Sequence, residues 1–319
     1  MIKAFLKFGT LALMCISESE ATAQTTSYFP SAGLTLHILG TVQDGGSPHI
    51  GCKKSCCSHL FNRPELHRNV VSLGITDSLN SRKYIFECTP DFPMQAKTLQ
   101  QRSTFAGAEM PDGIFLTHAH IGHYAGLMFL GREAINSKKV PVYAMPRMKE
   151  FLETNGPWSQ LVALNNIDIK SLTANEKMVI SPSMSVTPLQ VPHRDEFSET
   201  VGFIIEGPTR KALFIPDIDK WEKWDKNIAA LVSTVDYAFV DATFYDGQEI
   251  NNRNIAEIPH PFVIESMDRW IDLPAKEKQK IYFIHFNHTN PLLNPESDAA
   301  QTVRKNGFNI ASSEHRFRL

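Results

Sequence analysis

The sequence predicts an α/β fold, a sandwich of two mixed sheets packed face to face with helices outside. Strand-like apolar runs fall into two groups, Leu34 to Met145 and Met184 to His285, with helical segments between them. The histidines and acids suited to chemistry sit just beyond the ends of those runs, so one edge of such a sandwich would collect them. No internal repeat, low-complexity linker or long charge block divides the chain, and residues 24–319 read as a single domain.

The first 23 residues stand apart from the fold. Lys3 and Lys7 form a positive start, and Phe8 to Ile16 is an apolar run too short to span a bilayer. Ala21-Thr22-Ala23 is a small-residue cleavage pattern that makes Gln24 the expected mature start. Export to a periplasm follows as an expectation, with lipoprotein processing at Cys15 as the rival. After removal of this segment no transmembrane stretch is expected. Composition is that of an ordinary globular protein, 42% hydrophobic and 21% charged with a net charge of −2. That balance argues against a nucleic-acid partner or a polybasic membrane patch. Nothing here fixes an oligomeric state.

In chain order, Leu34–Gly40 alternates apolar with smaller or polar residues and reads as the first strand. Thr41 to His49 is a Gly/Pro loop without phosphate-loop spacing. Val70–Thr76 and Lys83–Glu87 read as strands joined by a polar turn, and Phe92–Gln101 as a helix. Ile114–Leu116 is a short buried strand, followed by a predicted helix over Tyr124–Ile135. Val140–Met145 reads as a strand and Met148–Asn155 as a helix stopped by Gly156-Pro157. Met184–Val191, Lys211–Ile215, Val235–Val240 and Lys280–His285 complete the strand pattern. Trp158 to Lys177 says little about chemistry.

The strand at Ile114 ends in Thr117-His118-Ala119-His120-Ile121-Gly122-His123. His118 and His120 lie two residues apart, so an extended chain points both rings to one side. His123 follows a glycine at which the chain can turn. Three imidazoles at a strand-to-helix turn, with Asp112 upstream, suit an open metal site. Cys52, Cys56 and Cys57 form a second cluster. With Cys88 the count permits two disulfides; a structural zinc held by three thiolates and a histidine is the alternative, and spacing alone does not separate them.

The stretch from Asp112 to His123 resembles the His-x-His-x-Asp-His signature of the metallo-β-lactamase fold superfamily, with Gly122 where the signature has aspartate. The resemblance implies the αββα sandwich over the mature chain. It assigns one metal to His118, His120 and His193, the last within Val191-Pro192-His193. A second metal would take His123, His285 and a bridging Asp217 from Pro216-Asp217-Ile218-Asp219, with Asp219 as runner-up. The missing aspartate implies one negative charge fewer and a second site that is weaker or prefers another metal. Asp112 and Asp241 are implied as outer residues that orient ligands, and His260, in Ile258-Pro259-His260-Pro261, as a proton donor.

A cysteine cluster after a Gly-rich first loop is similar to two branches of the superfamily, coenzyme PQQ synthesis protein B and the phosphodiesterase of the carbon–phosphorus lyase pathway. Both imply a structural zinc, here on Cys52, Cys56, Cys57 and His288, with His59 as the competing donor. Thr289-Asn290-Pro291 is similar to the first branch; His285 and His288, three apart, are similar to the second. The implied activity is hydrolysis of an ester-like bond in a small-molecule substrate, a phosphodiester or lactone, by hydroxide on zinc, manganese or iron, since a metal lowers the pKa of bound water to about 7. Two other readings remain. One is an iron-dependent oxygenase like the PQQ-synthesis branch, which lacks some of the histidines kept here; the other is a non-catalytic metal-binding scaffold.

Overall fold

The computed structural model describes Met1, residues 33–249 and residues 254–319. The expected signal segment, with Cys15 and the cleavage point before Gln24, lies outside the described residues. No helix among them is long and apolar enough to cross a membrane.

The strands are β1 (Leu34–Gly40), β2 (Ser72–Asp77), β3 (Arg82–Phe86), β4 (Gly113–Phe115), β5 (Val140–Ala144), β6 (Ile167–Ser171), β7 (Met178–Ser181), β8 (Met184–Gln190), β9 (Val201–Glu206), β10 (Lys211–Ile215), β11 (Tyr237–Asp241), β12 (Ile281–Ile284), β13 (Asn309–Ile310) and β14 (Arg316–Arg318). They form two seven-stranded sheets, ordered β14-β1-β2-β3-β4-β5-β6 and β13-β12-β11-β10-β9-β8-β7. Both are mixed, as expected: β3 to β6 run parallel in the first, β10 to β13 in the second.

Side-chain alternation builds the layers. Leu36 and Ile38 of β1, Phe86 of β3 and Phe115 of β4 face inward and meet Phe203, Phe214 and Phe239 of the other sheet. Phe86 stacks on Phe115 with centroids 4.5 Å apart and meets Phe203 edge-on at 5.4 Å, so the sheets interlock through aromatic rings. Truncating Phe203 to alanine would cost about 3–5 kcal/mol. The intervening residues Leu39, Ile85, Ile114 and Val142 face outward under the helices Phe92–Arg102 and Pro146–Thr154. On the second sheet Leu213, Val240 and Phe283 are covered by Ile228–Ser233, Val263–Arg269 and Asp298–Lys305. Parallel strands covered on both faces are apolar at consecutive positions, which is why Ile114–Leu116 reads as an unbroken run.

One expected element is replaced. Instead of a helix over Tyr124–Ile135, the chain makes one α-turn, Ile121–Tyr124, then a 3-10 run, Ala125–Leu130. Gly126 donates its N–H to Cys88 O at 2.8 Å rather than continuing a helical ladder. A Cβ there would lie 2.1 Å from Thr89 O, so the glycine lets the segment press against the end of β3.

Strand direction sets the site. β1 is antiparallel to β2, which is antiparallel to β3, so β1, β3 and β4 all point the same way. β8 and β10 share a direction through β9, and β11 and β12 follow β10. The carboxyl ends of these strands converge on one edge, where α/β proteins form their clefts.

Candidate metal centre

Five histidines reach that edge: His118, His120 and His123 beyond β4, His193 beyond β8 and His285 beyond β12. His118 Nε2, His120 Nδ1 and His193 Nε2 converge, with His118 and His193 at 2.8 and 3.3 Å from His120 Nδ1. Together with an Asp217 oxygen they can offer donor atoms all within 4.8 Å of one another. A second group, equally tight, is Asp44, His123 and His285. Asp217 stands between the two. Its Oδ2 lies 3.3 Å from His118 Nε2 and from His193 Nε2, and 3.8 Å from His123 Nε2. A single oxygen thus faces both groups, while Oδ1 faces His260 Nδ1 at 3.2 Å. Asp219, the runner-up, instead contacts the rear of His193, at 3.2 Å from Nδ1.

Each ring is held from behind. His118 Nδ1 pairs with Thr117 Oγ1 at 2.9 Å, and His285 Nδ1 with Thr243 Oγ1 at 2.9 Å. His123 Nδ1 lies 3.3 Å from Glu87 Oε1, and His120 Nε2 lies 3.4 Å from Glu196 Oε2. One nitrogen of each imidazole thus faces a hydroxyl or a carboxylate and the other points into the cluster, the arrangement that fixes a metal-ligating ring; for His123 the rear contact with Glu87 is a charge contact rather than a hydrogen bond. His123 Nε2, His285 Nε2 and Asp44 Oδ1 are buried with no hydrogen-bond partner among the described residues. Unpartnered buried polar atoms are costly, and a cation at their meeting point would satisfy all three. Two residues of the site sit on unusual backbone: Glu87, behind His123, has φ +79° and His285 φ +67°, a region that residues other than glycine rarely adopt.

The buried acids and imidazoles shift one another's charge. Burial opposes charge on His123, but the Glu87 and Asp44 carboxylates outweigh it and push its pKa well up. Burial likewise opposes the Asp217 charge, yet His260 and His193 hold its carboxyl well below the usual range. His118 moves the other way, lowered by burial and by the neighbouring His123.

Asp241, at the end of β11, is fully buried and accepts from Ile218 N, Thr243 N, Thr243 Oγ1 and His260 Nδ1 at 3.1, 2.8, 2.7 and 2.9 Å. It orients His260 directly and His285 through the Thr243 hydroxyl. Asp112 is a correction. It lies before β4 rather than after it, pairs with Arg82 at 2.5 Å and accepts from Lys83 N at 2.9 Å. The length of the strand separates it from the histidines. Sequence reasoning passed over Asp44, Glu87 and Thr243, each in a short segment without periodicity; an acid in the loop after the first strand was the available signal for Asp44.

The three clustered cysteines come together with His288. Cys52, Cys56 and Cys57 are free, and their sulfurs and a His288 nitrogen lie within 4.8 Å of one another. Cys52 and Cys56 Sγ atoms are 3.7 Å apart. That is far beyond a disulfide and close to the edge of about 3.8 Å of a tetrahedron with Zn–S bonds of about 2.3 Å. Burial and the neighbouring thiols push Cys56 up to about 12, so thiolates there call for a balancing cation. His59, the competitor, is exposed and turned to Ser55 O at 3.0 Å. Cys88 is buried apart from the cluster.

Fold and site together define a metallo-β-lactamase-type protein, and residues 82–286 match the family described as Beta-lactamase superfamily domain, to which the chain belongs. Among curated relatives it is similar to coenzyme PQQ synthesis protein B of Methylorubrum extorquens (strain PA1), 22% identical over 295 residues, covering 86% of this chain and 96% of the relative. The namesake from Methylobacillus flagellatus is 24% identical over 310 residues, covering 86% and 97%. Among solved structures, Zn(2+)-bound PqqB from Methylobacterium extorquens superposes with a TM-score of 0.73 at 22% identity, covering 89% of this chain and all of that one. A diphosphatase from the PhnP family gives 0.60 at 20% identity, covering 90% and 97%. The expected likeness to both branches stands.

Proposed function

We propose that the protein is a metal-dependent hydrolase acting on an ester-like bond of a small anionic molecule, a phosphodiester foremost. One observation carries the reading: two groups of inward-facing donors lie side by side, with Asp217 Oδ2 at 3.3 Å from His118 Nε2 of the first and 3.8 Å from His123 Nε2 of the second. When bound, divalent cations supply Lewis acidity and a nucleophilic hydroxide near neutral pH. His118, His120 and His193 would hold one, and His123 and His285 the other, with Asp217 between. Five imidazoles bring no negative charge, so the carboxylates leave such a centre net positive, which favours an anionic substrate. Asp241 fixes the Nδ1 side of His260, so its other nitrogen can pass a proton to the leaving group. The diphosphatase neighbour supports hydrolysis at a phosphorus centre.

The test is turnover by the full chain, stripped and then reloaded with zinc, manganese or iron, against bis(p-nitrophenyl) phosphate and a lactone and β-lactam panel. Phosphodiester cleavage that disappears on chelation and returns on reloading is the expected outcome. The full-length likeness to coenzyme PQQ synthesis protein B keeps one second reading, an iron-dependent oxygenase. Oxygen uptake by the iron form without hydrolysis by any form would favour it.

A further inference from the structure

Gly122 has no conformational reason to be glycine. Its φ is not in the left-handed region, and it lies inside the α-turn Ile121–Tyr124, where glycine costs about 1 kcal/mol against alanine. The reason is space. A Cβ on Gly122 would fall 1.9 Å from Asp44 Oδ1, 2.6 Å from Asp44 Cα and 2.8 Å from Asp44 Cγ. Because the main chain of residue 44 takes part in the clash, no side chain at 122 fits while Asp44 stays where it is.

Asp44 is held there by main-chain bonds. Val42 bridges both Val70 and Phe286, and Gln43 N donates to Phe286 O at 2.8 Å, beside His285. The loop closes on itself through Gly46 N to Gln43 O at 2.9 Å, with Gly46 at φ +71°. Asp44 Oδ2 accepts from Gln43 Nε2 at 3.3 Å, while Oδ1 lies 3.4 Å from His123 Nε2 without a hydrogen bond.

We infer that Asp44 is the terminal carboxylate ligand of the second cation, and that Gly122 is the vacancy admitting it. The carboxylate reaches the second half-site from the loop after β1 instead of from the turn that carries His123. On this account the second half-site loses no charge through Gly122, and its affinity for a divalent cation is not weakened as the motif alone suggests. The inference rests on the two-cation reading above and names a ligand for it.

The experiment is metal content and zinc affinity of the full chain, by elemental analysis and chelator competition, with cobalt(II) absorption reporting on coordination. The wild type is expected to hold two cations in the histidine cleft and one at the cysteines. Asp44→Asn, which keeps shape and removes charge, and Asp44→Ala are expected to bind the second cleft cation roughly 100-fold more weakly. The cysteine-bound zinc, retained in every variant, checks folding. Gly122→Asp alone is expected to weaken the same site through collision with Asp44. The double variant Asp44→Gly with Gly122→Asp is expected to recover the second cation, a rescue that a purely structural loop residue would not give. If wild type and both Asp44 variants hold two cleft cations with equal affinity, Asp44 is no ligand and the two-cation reading survives. If the wild type holds none in the cleft, both readings fall.

Discussion

The histidine cleft and the cysteine cluster are two metal-type sites built on opposite principles. In the cleft the scaffold positions the donors. They stand at the ends of strands packed on both faces, and each ring is held from behind by a hydroxyl or carboxylate. In the cysteine cluster the donors lie on a short surface segment around the single turn Ser55–Ser58, where only Cys57 of the three is buried. His288 is the tie to the sheet, beyond β12. On this contrast, a cation in the first site would add chemistry to a shape set by the sheets, and a cation in the second would tie down the segment that holds it.

If the cleft is preformed, losing a donor should remove activity and leave the fold. His118→Ala or Asp217→Asn is expected to lower phosphodiester turnover by about 10³-fold or more, with an unchanged circular dichroism spectrum. His260→Gln keeps all proposed metal donors and should reduce kcat by about 10²-fold at unaltered metal content. Glu87→Gln touches no cation directly. It loosens the His123 ring and should weaken metal affinity by about 10-fold, read by chelator competition.

The cysteine cluster should behave in the opposite way. Cys56→Ser is expected to expose the segment between Gly51 and Arg68 to limited proteolysis. Melting should fall by roughly 5 °C, as for a loss of about 2 kcal/mol. Turnover per folded molecule should hardly change. A variant that loses activity but keeps protease resistance would erase the contrast between the sites.

The scaffold has a pH limit of its own. His37, buried in β1 and paired with Thr76 Oγ1 at 2.9 Å, is lowered to about 3 by burial and by the charges of Arg102 and Arg316. Above its ordinary value of 6.5 neither state binds the proton, and His37 contributes nothing to pH dependence. Between that value and about 3 the unfolded chain binds a proton that the folded chain refuses, so stability falls with pH. His37→Gln should flatten the loss between pH 7 and pH 5 by up to about 2 kcal/mol, measured by urea unfolding.

Much of this was legible in the sequence because it is local. Val70–Thr76 and Lys211–Ile215 announce themselves by apolar runs with turn residues between them. His118, His120 and His123 are adjacent, and Pro216-Asp217 closes a strand. What was not legible depends on which strand ends meet in space. Asp112 lies close to His118 in sequence, yet β4 carries it to the opposite end. Asp44 lies far from His123 in sequence, and the shared direction of β1 and β4 brings them together. The helix expected over Tyr124–Ile135 failed for a similar reason: Gly126 is bonded to Cys88, a contact its own neighbours do not reveal.

The most direct test of the central claim is anomalous scattering at the zinc edge from crystals of the full chain grown with zinc. The account predicts two peaks in the cleft on either side of Asp217 Oδ2 and a third among Cys52, Cys56, Cys57 and His288. A peak at the cysteines with none among the histidines would contradict it.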